Sequence, residues 1–410
     1  MAKLITMEKE NIIERNYYTQ KILPYIGQPI IKILTGQRRV GKSCILKQLI
    51  SYIQSTDNES LIIYINKELK EFSTLHNDDD LYQYILSKID INKNNYVFID
   101  EIQEIINFQN CLRSLLAEEK CDIYCTGSNA TMLSGELATL LAGRYMEFHI
   151  HSLSYSEFLI FHRLSDSDES LQKYMRIGGM PYLIHFKGNE QLCVDYLQNL
   201  YSTILLKEVI SKKQIRNPQF LTQLVEFISD NVGSLFSASS ISKYLKSQRL
   251  QLPTQMVMDY SSALQQAYFI YKVLRSDIQG LKIFEVGEKF YFEDLGIRNA
   301  IRGFNPLADV QKWMENLVYL QLLRKGYSVY IGKNNDLEID FLGQKLQNRV
   351  YVQVTYRLDN EQTREREIRS LLQCKDNFLK YIVTLDNFRT GITPEGIIII
   401  HLRDFLMDKM

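Results

Sequence analysis

An excess of charge of either sign is missing from this chain. Its 410 residues carry 48 Lys plus Arg against 48 Asp plus Glu, a formal net charge of zero. A protein that coats long stretches of nucleic acid is usually basic, so any such contact here is local. Long apolar runs are missing as well. No stretch reaches the roughly 18 apolar residues needed to span a bilayer. The first residues hold no apolar core of signal-peptide length. These absences predict a cytoplasmic protein without membrane contact. The six cysteines, at positions 44, 111, 121, 125, 193 and 374, form no Cys-x-x-Cys pair. They read as buried reduced thiols. Cys121 and Cys125 lie four apart in a strand-like run, but without a further partner they predict no metal. Repeats and low-complexity segments are absent. What is present is an apolar fraction of 45%, enough for ordinary cores and unlike a disordered chain. The length allows two to four domains at roughly 100–200 residues each.

From residue 30 to 150 short β-type runs alternate with segments of helical period. Strands are expected over 30–35, 61–66, 96–100, 121–126 and 146–150, and helices over 42–54, 81–88 and 108–118. Tyr96-Val97-Phe98-Ile99 is apolar on both faces, which suits a central strand of a parallel sheet. The expected fold class is α/β, a doubly wound parallel sheet. Beyond residue 152 helices dominate: 154–162, 171–186 with a break at Gly178-Gly179-Met180-Pro181, 192–212 and 220–231. Helices over 237–246 and 254–266, a turn at 248–253 and strands at 268–273 and 289–293 make a winged helix-turn-helix pattern. From residue 311 a helix, three strands, a helix at 361–372 and a strand at 381–385 read as a further small α/β domain.

The run Gly36-Gln37-Arg38-Arg39-Val40-Gly41-Lys42-Ser43 fits G-x-x-x-x-G-K-[ST] without a mismatch. Its glycines let the backbone curl so that successive N–H groups face one anion. The loop then opens a helix whose free N–H groups favour negative charge. The expected nucleotide-binding stretch runs from Gly36 to Cys44, with Lys42 supplying a point charge to the β- and γ-phosphates and Ser43 ligating Mg²⁺. Arg38 and Arg39 leave two readings open, phosphate contacts or solvated loop charges. The strand ending in Asp100-Glu101 supplies the second element: Asp100 as Mg²⁺ ligand and Glu101 as the base that orients and deprotonates water. Thr126-Gly127-Ser128-Asn129 ends the neighbouring strand. Ser128 or Asn129 touches the γ-phosphate or the lytic water, or else caps a helix. Arg144 neutralises γ-phosphate charge in its own or a neighbouring subunit, or forms an ordinary salt bridge.

These runs, with Leu141-Ala142-Gly143-Arg144-Tyr145, resemble the predicted bacterial and archaeal AAA+ superfamily ATPases that carry a C-terminal domain of unknown function. Gly178-Gly179-Met180-Pro181 resembles their linker signature. The resemblance implies a P-loop ATPase domain over 1–152, a helical lid over 153–214, a winged helix over 215–305 and a nuclease-like α/β tail over 306–410. It also implies ATP as ligand, a choice supported by the lack of an Asn-Lys-x-Asp guanine-reading run.

The helix over 254–266 contains no Lys or Arg, which is sparse for a major-groove helix. Gln255, Gln265 and Gln266 offer amides that read bases. Lys243, Lys246, Arg249, Lys272 and Arg275 flank the helix. In the tail, Glu315, Asp340 and Gln353 follow the order of the PD-(D/E)XK nuclease core, in which acids hold Mg²⁺ and a nearby lysine activates water. Thr355 stands where that lysine belongs, so a degenerate site is expected. Arg357, Arg364, Arg366 and Arg369 interleave with Glu361, Glu365 and Glu367, the pattern of an ion-paired surface. Three functions remain open: an ATP-driven conformational switch, an ATP-regulated DNA-binding or DNA-processing protein, and a scaffold with structural nucleotide. An arginine acting between subunits would require a homo-oligomer.

Overall fold

The computed structural model describes residues 13–130, 141, 143–211, 215, 217–247, 253–278, 283–334, 337–358, 361–387 and 389–409. The chain divides into two compact units, Met1–His151 and Ser152–Met410. Among the described residues no helix is long and apolar enough to cross a membrane.

In the first unit α1 (Asn16–Ile22) precedes β1 (Ile31–Thr35), α2 (Lys42–Thr56), β2 (Leu61–Asn66), α3 (Asp78–Leu86), β3 (Asn95–Asp100), α4 (Phe108–Ala117), β4 (Asp122–Thr126) and β5 (Tyr145–His149). The five strands form one parallel sheet in the order β2-β3-β4-β1-β5. Each expected strand and helix is found, with ends moved by a few residues. The pleat sends Ile31, Ile33, Ile65, Val97, Ile99, Ile123 and Cys125 to one face, where they pack with Leu81, Ile85, Leu112 and Leu115 of α3 and α4. Leu34, Phe98 and Tyr124 point the other way and are equally buried. Covering both faces explains the apolar runs. Each fully buried Ile or Leu contributes roughly 1.5–3 kcal/mol. One charge breaks the pattern. Lys32 in β1 is fully buried and pairs with Asp122, whose other oxygen accepts the Gly27 N–H and the Tyr124 hydroxyl, each at 2.8 Å.

The second unit begins with α5 (Tyr155–His162), α6 (Asp168–Ile177), α7 (Glu190–Thr203), which continues as a π-helical stretch over Ile204–Ser211, then α8 (Pro218–Asp230), α9 (Ala238–Ser247) and α10 (Thr254–Gln266). Ser154 and Glu157 cap α5 reciprocally, the capping box that closes two orphan amide groups. The glycine run ends α6. Gly178 has φ 73°, and a Cβ there would lie 2.4 Å from Asp294 Oδ1. The run is therefore docked as well as turned: Gly179 donates its N–H to Asp294 Oδ2 at 2.7 Å.

The remaining elements are β6 (Ile270–Asp277), β7 (Ile283–Phe292), α11 (Leu295–Arg302), α12 (Pro306–Arg324), β8 (Ser328–Asn334), β9 (Leu337–Lys345), β10 (Asn348–Thr355), α13 (Glu361–Leu372), β11 (Leu379–Thr384), β12 (Gly391–Ile392), β13 (Ile398–His401) and α14 (Leu402–Leu406). The eight strands form one mixed sheet, β12-β13-β11-β10-β9-β8-β6-β7. Two helices followed by a hairpin occur as expected. The hairpin, however, is not a free wing. Its strand β6 pairs with β7 on one side and runs parallel to β8 on the other, Arg275 opposite Ile331 and Asp277 opposite Lys333. The boundary expected at 305/306 therefore cuts through a continuous sheet, and the boundaries at 214/215 and 305/306 both fall inside one compact unit. The reason is backbone satisfaction: β8 lacks a partner on that edge unless β6 supplies it. Arg249 and Ala142 lie outside the described residues.

Candidate functional site

The C-terminal ends of the parallel strands gather the first unit's polar residues. β1 passes into the loop 36–41, and α2 begins at Lys42. The loop curls through positive φ at Gly36 (137°), Arg39 (69°) and Gly41 (99°). Gly36 is required by contact too, because a Cβ there would lie 2.1 Å from the Ile150 carbonyl oxygen. Lys42 is buried, and its ammonium donates to the Gly36 and Gln37 carbonyl oxygens at 2.9 and 3.0 Å. Gln37 is buried, and neither polar atom of its side-chain amide has a hydrogen-bond partner among the described residues. Val40 is fully buried, Ser43 is partly buried, and Cys44 is exposed. Arg38 forms an ion pair with Glu68 at 3.2 Å, while Arg39 is exposed. No motif points to Arg15, which is buried and donates from Nη1 to the Val40 carbonyl at 2.8 Å, bracing the loop from outside.

Asp100 ends β3 and is 2% exposed. β4 lies between β3 and the loop-bearing β1, so Asp100 faces the loop across the end of β4. The Tyr64 hydroxyl donates to Asp100 Oδ2 at 3.3 Å, and the Thr126 hydroxyl donates to Oδ1. Burial, then the Asp100 charge, raises the Tyr64 phenol well above its ordinary pKa. Among the described residues Asp100 has no cationic side-chain partner within ion-pair distance. A buried carboxylate met only by neutral hydroxyls suits a metal cation.

Glu101 has left-handed backbone angles, φ 58° and ψ 50°. This is uncommon for a non-glycine residue and requires support from its surroundings. Its N–H donates to Thr126 Oγ1 at 2.9 Å. Its carboxylate accepts from the Gln103 amide, and the Ser128 hydroxyl lies 3.4 Å from Oε2. Ser128 is fully buried and Asn129 is 4% exposed. The structure thus groups Asp100, Glu101 and Ser128, gives a role to Thr126 of the same strand-end run, and adds Tyr64 and Gln103, which sequence reasoning missed. Isolated polar residues at strand ends carry no periodic signal.

Arg144 stands apart from this group. It is exposed and precedes β5, whose parallel register sets Tyr145 opposite Ile31 and His149 opposite Thr35. The Arg144 carbonyl accepts the Ile31 N–H at 3.0 Å. Arg144 therefore sits at the entry end of β1, about 13 Å of strand from the loop at four rises of ~3.3 Å. That is the end of β1 opposite the loop.

The tail residues also converge, within the second unit. Glu315 on α12 is buried and Asp340 on β9 is partly buried, and Gln353 on β10 accepts the Asp340 N–H at 2.9 Å. Thr355 is buried and donates to the Arg357 carbonyl. The cation among these groups is Lys289, from β7. No local sequence pattern connects it to them.

A family model described as "AAA domain" matches residues 28–159. One described as "Domain of unknown function (DUF8612)" matches residues 168–308 and so runs across the boundary expected at 214/215. An uncharacterized protein of Haemophilus influenzae is 33% identical over 402 residues, covering 97% of this chain and 99% of its own. An uncharacterized protein of Methanocaldococcus jannaschii is 28% identical over 357 residues, 83% of this chain and 77% of its own. Among solved structures, a Walker-type ATPase of Pyrococcus abyssi superposes with a TM-score of 0.51 at 15% identity, covering 72% of this chain and 97% of that one. At that identity the likeness is one of fold. Similarity to the Haemophilus influenzae protein over nearly the full length of both, with the loop and its strand-end acids inside the AAA match, means that the chain belongs to that protein's family within the AAA+ ATPase superfamily.

Proposed function

We propose that the chain is a Mg²⁺-dependent ATPase that works as a nucleotide-driven conformational switch. One observation carries the reading: Glu101, in a left-handed backbone pinned by Thr126, stands beside a buried Asp100 at the strand ends that the curled loop occupies. On this reading the loop amides and Lys42 hold the triphosphate. The Lys42 ammonium exchanges its two loop carbonyls for phosphate oxygens, a stronger charge-assisted contact. Ser43 and Asp100 would hold Mg²⁺, which supplies charge neutralisation at the phosphates. Glu101 accepts the proton of the attacking water as the new oxygen–phosphorus bond forms. The bond from the γ-phosphorus to the bridging oxygen breaks, and ADP and inorganic phosphate leave. Ser128 and Gln103 keep the Glu101 carboxylate in register. Loss of the γ-phosphate removes contacts available only in the triphosphate state, which is the physical drive of a switch. Arg144, exposed at the far end of β1, serves this chemistry only toward a neighbouring chain.

Phosphate release from ATP, measured with the wild type, Lys42→Ala and Glu101→Gln, tests the reading. We expect turnover in the wild type, loss of nucleotide binding with Lys42→Ala, and retained binding without turnover with Glu101→Gln. Binding of Mg·ATP that persists in Lys42→Ala would overturn it. Repeating the assay with duplex DNA, single-stranded DNA and RNA reads out the partner class.

A further inference from the structure

Three carboxylates of the second unit surround one ammonium. Lys289 Nζ lies 2.9 Å from Glu338 Oε1 and 4.0 Å from both Glu315 Oε2 and Asp340 Oδ1. Protein donors also engage the carboxylates of Glu315 and Asp340. The Tyr291 hydroxyl donates to Glu315 Oε2 and Gln311 Nε2 to Glu315 Oε1, both at 3.2 Å. The Val354 N–H donates to Asp340 Oδ2 at 2.8 Å. Gln353 is engaged at both ends: its Oε1 accepts the Asp340 N–H, and its Nε2 donates to Glu367 at 2.8 Å. A cleft of about 280 Å³ opens beside Asp340 and Gln353.

We propose that Lys289 is the resident cation of this cluster, standing where the order Glu315, Asp340, Gln353 calls for a divalent ion, and that the tail holds no metal there. A hard divalent ion needs several open oxygen lone pairs converging at roughly 2.0–2.6 Å. Here Glu315 Oε1, Glu315 Oε2 and Asp340 Oδ2 each already accept a protein donor. The remaining oxygen, Asp340 Oδ1, faces the ammonium. Turning the Gln353 carbonyl toward an ion would orphan the Asp340 amide and break the contact with Glu367, each a costly loss in a buried setting. Among the described residues, Glu315, Asp340 and Glu338 do not bring three carboxylate oxygens within 4.8 Å of one another. Charge balance agrees. Burial opposes the Lys289 charge, but the carboxylates of Glu315, Asp340 and Glu338 outweigh it and hold the ammonium protonated. Lys289 and Arg275, the latter 3.8 Å from Glu338, set two protein cations against the three carboxylates without a metal. The tail then acts as a scaffold and has no metal-activated hydrolytic chemistry.

The test uses nucleotide-free full-length protein, which keeps its outcome separate from that of the P-loop reading. Mn²⁺ binding is followed by electron paramagnetic resonance and by thermal melting in the wild type, Asp340→Asn and Lys289→Met. We expect millimolar Mn²⁺ to leave the wild-type melting curve unmoved and to bind the wild type and Asp340→Asn alike. Lys289→Met should melt lower and regain stability with Mn²⁺, an effect lost in the Lys289→Met, Asp340→Asn double variant. Wild-type Mn²⁺ binding that Asp340→Asn abolishes overturns the proposal. So does Mg²⁺-dependent DNA cleavage by the wild type that Glu315→Gln removes. If Lys289→Met does not fold, the wild-type and Asp340→Asn titrations decide alone.

Discussion

Thr126→Val tests how the strand ends are held. The Thr126 side chain is fully buried; its hydroxyl donates to Asp100 Oδ1 and accepts the Glu101 N–H at 2.9 Å. Valine keeps the shape and removes both bonds. The bond to a charged group is worth about 1.5–3 kcal/mol and the neutral one about 1 kcal/mol. The first unit should therefore lose roughly 3 kcal/mol. For a domain of this size each kcal/mol moves the melting temperature by about 2–4 °C, so its transition should fall by roughly 6–12 °C. Turnover should suffer as well. The left-handed backbone of Glu101 is a strained state of about 1–3 kcal/mol that persists only while held. Released, it relaxes and carries the carboxylate off the water. Each 1.4 kcal/mol lost in the transition state costs about tenfold in rate, and we expect at least that. Nucleotide affinity should hold, since Thr126 belongs to neither the loop nor α2. Steady-state phosphate release, nucleotide titration and thermal melting measure the three effects, and Thr126→Ser, which keeps the hydroxyl, should restore the first and third. A valine variant with wild-type turnover and melting would refute the reasoning.

Lys32→Met should destabilise the first unit by about 3–5 kcal/mol, because it strands the buried Asp122 charge; urea unfolding measures it, and Lys32→Met with Asp122→Leu should recover much of the loss. Asp294 gives the second unit a pH dependence. Burial raises its pKa from 3.8 to about 6 despite the Gly179 and Ile297 amides. The native state thus holds a proton that the unfolded chain has released, and stability falls as pH rises through that window and stays lower above it. The size is about 3 kcal/mol at 1.36 kcal/mol per pKa unit, and Asp294→Asn should flatten the melting temperature between pH 4 and pH 6. Arg144→Ala should leave nucleotide binding intact; any turnover it removes should be concentration-dependent, as assays at several protein concentrations will show.

The loop motif and the Asp100-Glu101 strand end were legible in the sequence because their chemistry is local. Eight consecutive residues make the cradle, and burial on both faces spells the strand. Strand–helix alternation likewise gave the first unit's five strands. What escaped was set by register and by long-range pairing. Arg144 stands only one residue before its strand, yet parallel pairing puts that end of the strand away from the phosphates. Lys32 hides in an apolar run and is balanced by a residue ninety positions later. Lys289 answers acids that lie on the second helix and the second strand onward, a spacing no motif encodes. The short strands β12 and β13 carry too few residues to show a period, and the pairing of β6 with β8 joins segments that sequence composition had separated.

That last pairing has a consequence for how the protein can be divided. A polypeptide starting at 306 would keep six of the eight strands but leave the β8 backbone bare along Ile331–Lys333. A polypeptide ending at 305 would strip β6 of the same partner. Each fragment would carry an open strand edge, the template for stacking onto its own copies. Evolutionary shuffling of this tail, or its excision in the laboratory, has to bring the hairpin along.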